Sequence, residues 1–213
     1  MNFIRLESSD FDRVWEIMEI SFPPEERRKR EKQRELLEQE EYLLYGAKQG
    51  ENLLGFLAVW ELGEFLFIEH FAISPEARNS GLGRRMLHEL QAKGHQKIVL
   101  EVELPEKELA RRRIHFYERN GFFYNEYTYV QPAMSEDSHE IPLRIMSSGE
   151  PLTEAEFYRV RDVLYRRIYG CRGKDIAEKS QKCDQNEKVE KTGQYLQNIY
   201  GSNEMAEYHN NKL

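Results

Sequence analysis

The sequence predicts an α+β fold: a mixed, mostly antiparallel twisted sheet with a parallel central strand pair and flanking helices, plus a C-terminal helix. Three observations predict it. Strand-like runs at 42–49, 52–62 and 64–73 are separated only by breaks at Gly50 and Gly63, a spacing that suits an antiparallel meander. A helical stretch at 81–93 stands between the last of these runs and another apolar run at 97–103, and strand, helix and strand in succession make a parallel crossover unit. Two more runs, 122–130 and 139–147, read as a closing hairpin.

The remaining elements follow in order. Residues 2–7 read as a short strand, and Ser9 then suits an N-cap for a helix striped by Val14, Met18 and Phe22. Pro23-Pro24 ends that helix, because proline lacks the amide donor and restricts its predecessor. The stretch 25–41 is almost entirely charged; Glu25–Lys29 and Glu26–Arg30 fit four-residue helical pairing, so it reads as a solvated helix anchored by Leu36 and Leu37. After the crossover, a helix at 106–120 is closed by Gly121, and Pro142 marks the second arm of the hairpin as an edge or a bulge. Thr153 and Glu156 have capping-box spacing. Phe157, Val160, Leu164 and Ile168 form an apolar stripe that docks this last helix, and residues 171–213, without Phe or Trp, read as a disordered polar tail.

The 213 residues fit one domain and an appendage, and 39% apolar residues supply a core. A net charge of −7 argues against nucleic-acid binding, which needs a basic surface. No leader-type start and no apolar run of the roughly 20 residues that a membrane helix needs point to a cytoplasmic chain that does not engage a membrane. Cys171 and Cys183 lack metal-type spacing and read as reduced thiols; His70, His88, His95 and His115 form no metal-type pair, so no metal site is expected.

The sharpest local signal is Ile73-Ser74-Pro75-Glu76-Ala77-Arg78-Asn79-Ser80-Gly81-Leu82-Gly83-Arg84. A strand ends, a polar turn follows, and two glycines open an amphipathic helix. The first helical turn has amides without internal partners and a dipole that favours anions. A dinucleotide fold would carry a third glycine where this chain has Met86, and a nucleotide P-loop would carry Lys and Ser/Thr where it has Arg84-Arg85.

This pattern resembles the GNAT superfamily of N-acetyltransferases, whose signature Arg/Gln-x-x-Gly-x-Gly/Ala is filled by Arg78, Gly81 and Gly83. A second signature of that family is matched by Phe116-Tyr117-Glu118-Arg119-Asn120-Gly121-Phe122. The resemblance covers residues 1–147 as an acyl-CoA N-acyltransferase domain, leaving 148–170 as a docking helix and 171–213 as tail. It implies acetyl-CoA as co-substrate, with pantetheine between splayed fourth and fifth strands along Phe71, Ala72 and Ile73. The Phe71 amide would face the thioester carbonyl, and the amides of Arg78, Asn79, Ser80, Gly81, Leu82, Gly83 and Arg84 would cradle the pyrophosphate. The chain departs from the family at Ala110, where many members carry an Asn that contacts the cofactor arm.

An amine attacks a thioester only when neutral, and a lysine-like amine has a pKa of about 10.4, so a general base is needed. Two carboxylates compete, Glu69 and Glu101, each inside an apolar strand where a charge is costly unless paired. Glu69 stands slightly ahead, since strand alternation puts it on one face with Phe71 and Ile73 and turns His70 to the other. The resemblance makes Tyr117 the acid that protonates the leaving thiolate. No Cys/His or Ser/His nucleophile arrangement is recognisable, so direct transfer in a ternary complex is expected. By the same resemblance the acceptor lies between the first two helices and the last hairpin, near Phe22, Tyr127 and Tyr129. It would be a small-molecule or protein amine, and the chain a monomer or homodimer. Two readings from other classes stay open: a catalytically silent acyl-CoA-binding module, and an interaction protein whose glycine loop is purely structural.

Overall fold

The structure is a computed structural model that describes residues 2–94, 97–134 and 139–173. From residue 174 the expected tail lies outside the described residues, as do Cys183 and His95.

Strand β1 (Asn2–Arg5) leads through a 3-10 turn, Ser8–Asp10, into helix α1 (Phe11–Ser21). Ser9 lies inside that turn and does not cap α1; the Asp10 carboxylate instead accepts from the Glu7 amide at 3.2 Å. Helix α1 buries Phe11, Val14, Trp15, Ile17 and Met18. It ends where Phe22, followed by proline, turns extended.

The charged stretch is not one solvated helix. It holds only α2 (Arg30–Glu35) between 3-10 turns. Tertiary partners won over four-residue pairing. Arg27 donates to the Phe22 carbonyl and lies over the Trp15 ring, Arg28 reaches Glu69, and Arg30 reaches Asp12. Gln33 is buried and donates to the Tyr42 hydroxyl at 2.7 Å.

Strands β2 (Tyr42–Gln49), β3 (Asn52–Glu61) and β4 (Phe65–Ile73) form the expected antiparallel meander, with β1 added outside β2. Helix α3 (Leu82–Gln91) crosses to β5 (Lys97–Glu103), which pairs parallel with β4. Helix α4 (Glu108–Glu118) follows, then β6 (Phe122–Tyr124), β7 (Tyr129–Gln131), β8 (Ile141–Ser148) and α5 (Glu154–Arg167). The closing hairpin differs from expectation in its first arm. That arm is split into β6 and β7, both paired with β8, and β8 lies between them and β5. Asn125 in the break explains the split. Its Nδ2 donates to the Ile145 carbonyl at 3.0 Å, and its Oδ1 accepts from the Leu152 amide at 2.7 Å. Pro142 lies one residue beyond the last β5–β8 pair, Glu103↔Leu143, where a missing donor is tolerated.

Both sheet faces are covered, so the central strands read as continuous apolar runs. On one face α1 and α5 pack Phe11, Met18, Phe157, Leu164 and Tyr165 against Phe67, Val99 and Ile145. On the other, α3 and α4 pack Met86, Leu87, Leu90 and Ile114 against Leu66, Ile68, Ile98 and Leu100. The capping box of α5 forms, with Thr153 Oγ1 accepting from the Glu156 amide. No described helix is long and apolar enough to cross a membrane.

Candidate active site

The site begins where the parallel pair ends. β4 and β5 are paired only from Phe65↔Lys97 to Ile68↔Leu100. Beyond Ile68, β4 continues to Ile73 and β5 to Glu103 with no pairing between them. Ser74 donates to the Leu54 carbonyl at 2.9 Å, and bonded pairs alternate along an antiparallel ladder. The amides and carbonyls of Phe71 and Ile73 therefore point away from β3, into the gap. At its far end Arg78 Nε donates to the Ile73 carbonyl at 3.2 Å.

The loop after β4 delivers the first turn of α3. Gly81, immediately before that turn, has φ of +78°, a left-handed conformation that a side chain disfavours. Ser80 Oγ donates to the Ala77 carbonyl at 2.6 Å and is 3.4 Å from the Leu82 amide. The Gly83 and Arg84 amides have no hydrogen-bond partner among the described residues. A Cβ at Gly83 would lie 3.5 Å from Phe116 and 3.6 Å from Phe71, ordinary contact, so packing does not require glycine there.

Glu69 sits in a β-bulge. Ala58 pairs with His70 and Val59 with Ile68, which leaves Glu69 as the extra residue. The bulge overturns simple alternation. Phe71 and Ile73 pack on the α3/α4 face, whereas Glu69 and His70 both turn toward α1 and α5. Arg28 Nη1 donates to Glu69 Oε1 at 2.6 Å, and Arg28 Nη2 to the Ile168 carbonyl at 3.3 Å. Burial opposes charge on Glu69, but the Arg28 guanidinium and His70 overcome it and hold the carboxyl down at about 2. His70 Nε2 lies 3.0 Å from the Glu26 carbonyl, which can only accept, so Nε2 carries a proton. Its Nδ1 is 3.6 Å from Glu69 Oε2, too long for a hydrogen bond, and neither atom has another partner.

Glu101 is treated differently. Among the described residues no cation pairs with it. The Tyr129 hydroxyl donates to Oε1, Gln131 Nε2 to Oε2 at 3.1 Å, and the Tyr169 hydroxyl reaches Oε1 at 2.9 Å and Oε2 at 2.7 Å. Burial outweighs these donors and pushes the carboxyl up to about 7. Glu69 and Glu101 therefore stand at opposite ends of the carboxyl range, one fixed as an anion and one poised near neutrality.

A cleft of about 500 Å³ runs through the gap and joins the two sheet faces. Glu69, Glu101, Phe71, Ala72, Ile73, Arg78, Tyr117 and Phe22 all line it. Burial pushes the Tyr117 hydroxyl up to about 12, keeping it protonated. Glu26 also lines the cleft, and burial together with the nearby Glu103 carboxylate raises it above the ordinary carboxyl range. The expected acceptor residues do not converge. Phe22 stands edge-on to His70 at the cleft, Tyr129 is buried behind Glu101, and Tyr127 stacks on Phe157 away from the cleft.

Comparison with known proteins decides the family. The model of the acetyltransferase (GNAT) family matches residues 11–122. The chain belongs to the GNAT family of acetyltransferases. A Bacteroides thetaiotaomicron structure assigned to the GNAT family shares 35% identity at a TM-score of 0.75, over 81% of this chain and all of that one. The ribosomal-protein-S18-alanine N-acetyltransferase of Escherichia coli shares the fold at 20% identity and a TM-score of 0.54, over 71% of this chain and 95% of that one. So does an aminoglycoside 6'-N-acetyltransferase complexed with coenzyme A, at 16% identity and 0.54, over 70% and 96%. No curated protein matches by sequence.

The GNAT family model stops at residue 122, so Tyr129, Gln131 and Tyr169 lie beyond it. Of these, sequence reasoning found only Tyr129, and for another role. Gln131 carried a usable signal, sharing a strand face with Tyr129 at a spacing of two. Tyr169 carried none, and Arg28 was masked by the balanced charges around it.

Proposed function

We propose that this GNAT protein moves an acetyl group from acetyl-CoA to a primary amine by direct attack in a ternary complex. One observation carries the reading. A single cleft joins the unpaired edge of β4 at Phe71 and Ile73, with Arg78 beyond it, to the near-neutral carboxyl of Glu101.

The residues fit the roles. The Gly83 and Arg84 amides, with the Arg78 and Arg84 side chains beside them, suit a pyrophosphate. The outward amides of Phe71 and Ile73 suit a pantetheine arm and, at Phe71, the thioester oxygen as it gains charge. Acetyl-CoA supplies an activated acyl carbon and a thiolate leaving group. Tyr117, protonated at neutral pH, suits the donor to that thiolate. Glu101 fits the base better than Glu69, because a base works best with its pKa near the operating pH, whereas Glu69 is tied up by Arg28. The amine would enter from the α1 side past Phe22 and Glu26, shedding its proton to Glu101 directly or through one water.

The test is turnover of acetyl-CoA with an alkylamine, a diamine, an aminoglycoside, an amino-acid amide and a peptide, followed by mass spectrometry. Acetylated amine without acetylated protein supports the reading. A covalent acetyl group on the protein during turnover would exclude direct transfer, and no acetylation of any amine would remove the catalytic assignment.

A further inference from the structure

We infer that Tyr169 is a positioning residue for Glu101, and that the turn after α5 makes the C-terminal helix part of the acetyl-transfer machinery. The inference rests on the assignment of Glu101 as the base. Tyr169 follows α5 and lies well beyond the family model. Its hydroxyl spans both Glu101 oxygens, at 2.9 and 2.7 Å, and is 2.9 Å from Gln131 Nε2. With one proton to give, it donates to one carboxylate oxygen while its lone pair accepts from Gln131. The turn is itself fixed: the amides of Ile168 and Tyr169 donate to the Leu164 carbonyl, and the Cys171 amide donates to Tyr165.

The neighbouring residue serves the other carboxylate. The Ile168 carbonyl accepts from Arg28, the partner of Glu69. Two consecutive residues thus touch Glu101 and the cation that holds Glu69. Facing Glu101 are Glu69 and His70 from β4, Tyr129 and Gln131 from β7, and Tyr169 from the turn, with Arg28 behind Glu69. A donor aimed at a carboxylate favours its ionised form, so removing the Tyr169 hydroxyl strengthens the hold of Glu101 on its proton.

The experiment is Tyr169→Phe in the full chain, read by NMR titration of glutamate carboxyl carbons with the Glu101 signal assigned by Glu101→Gln. The expected midpoint rises by at least about half a pH unit, roughly threefold in proton affinity. The acidic limb of the rate profile, measured with the panel amine that turns over, should move with it. Incorporating 3,5-difluorotyrosine at 169, a stronger donor of nearly the same shape, should lower the midpoint and covers the case in which the Phe variant fails to fold. A midpoint that neither substitution moves, or one that moves while the limb stays fixed although Glu101→Gln alters that limb, overturns the inference. Glu101→Gln with an unchanged acidic limb would instead sink the base assignment, and it is told apart because the titration would still respond to Tyr169.

Discussion

Arg28 and Glu69 meet at 2.6 Å although 41 residues separate them, and the Glu69 side chain is only 2% exposed. The pair pins the segment between α1 and α2 onto the bulge of β4. Truncating Arg28 to Ala would leave a buried carboxylate without its cation and should cost roughly 3–5 kcal/mol. Urea unfolding of Arg28→Ala checks this. Arg28→Met with Glu69→Gln should lose clearly less, because no charge is then stranded.

The two acids pull stability in opposite directions with pH. Glu101 is raised from 4.5 to about 7, so the folded state holds a proton that the unfolded state releases. Stability should fall as pH rises from about 4.5 to about 7, by up to about 3 kcal/mol from this group. Glu69 is lowered to about 2, so its stabilisation is present above about 4.5 and is lost as pH falls toward 2. Thermal unfolding from pH 3 to 8 should show both slopes, and Glu101→Gln should flatten the upper one alone.

Gly83 separates packing from binding. An added methyl meets only ordinary contacts, and alanine is a better helix former than glycine by about 1 kcal/mol. Gly83→Ala should therefore keep or raise the melting temperature while weakening CoA, because the methyl hinders close approach to the amides. Calorimetric titration with CoA beside thermal unfolding of the variant gives both readings.

Tyr117→Phe should lower kcat by about 100-fold or more, the lower end of what a general acid contributes, and leave KM for acetyl-CoA within about threefold. Steady-state kinetics with the panel amine measures the split. Parental kcat in the variant would take Tyr117 out of the chemistry.

Most of the architecture was legible in the sequence. The bounds of β2 and β5 matched their apolar runs, and the capping box of α5 formed as its spacing required. The bulge at Glu69 was hidden, because an extra residue exists only relative to β3 and leaves no mark in Phe67-Ile68-Glu69-His70-Phe71. That is why Glu69, Phe71 and Ile73 were expected on one face. Arg28 was hidden for another reason: a balanced run of charges predicts solvation on average, and the arginine that turns inward is chosen by a distant carboxylate. Tyr169 depends on how α5 lands on the sheet, which no local pattern encodes.

The most direct measurement follows the backbone amides of Gly83 and Arg84 by ¹⁵N NMR as CoA is added. Saturable shifts at these two amides, with smaller ones at Phe71 and Ile73, are the expected result. Unmoved amides at millimolar CoA, or shifts confined to another part of the chain, would contradict the proposal that the thiol carrier docks where α3 begins.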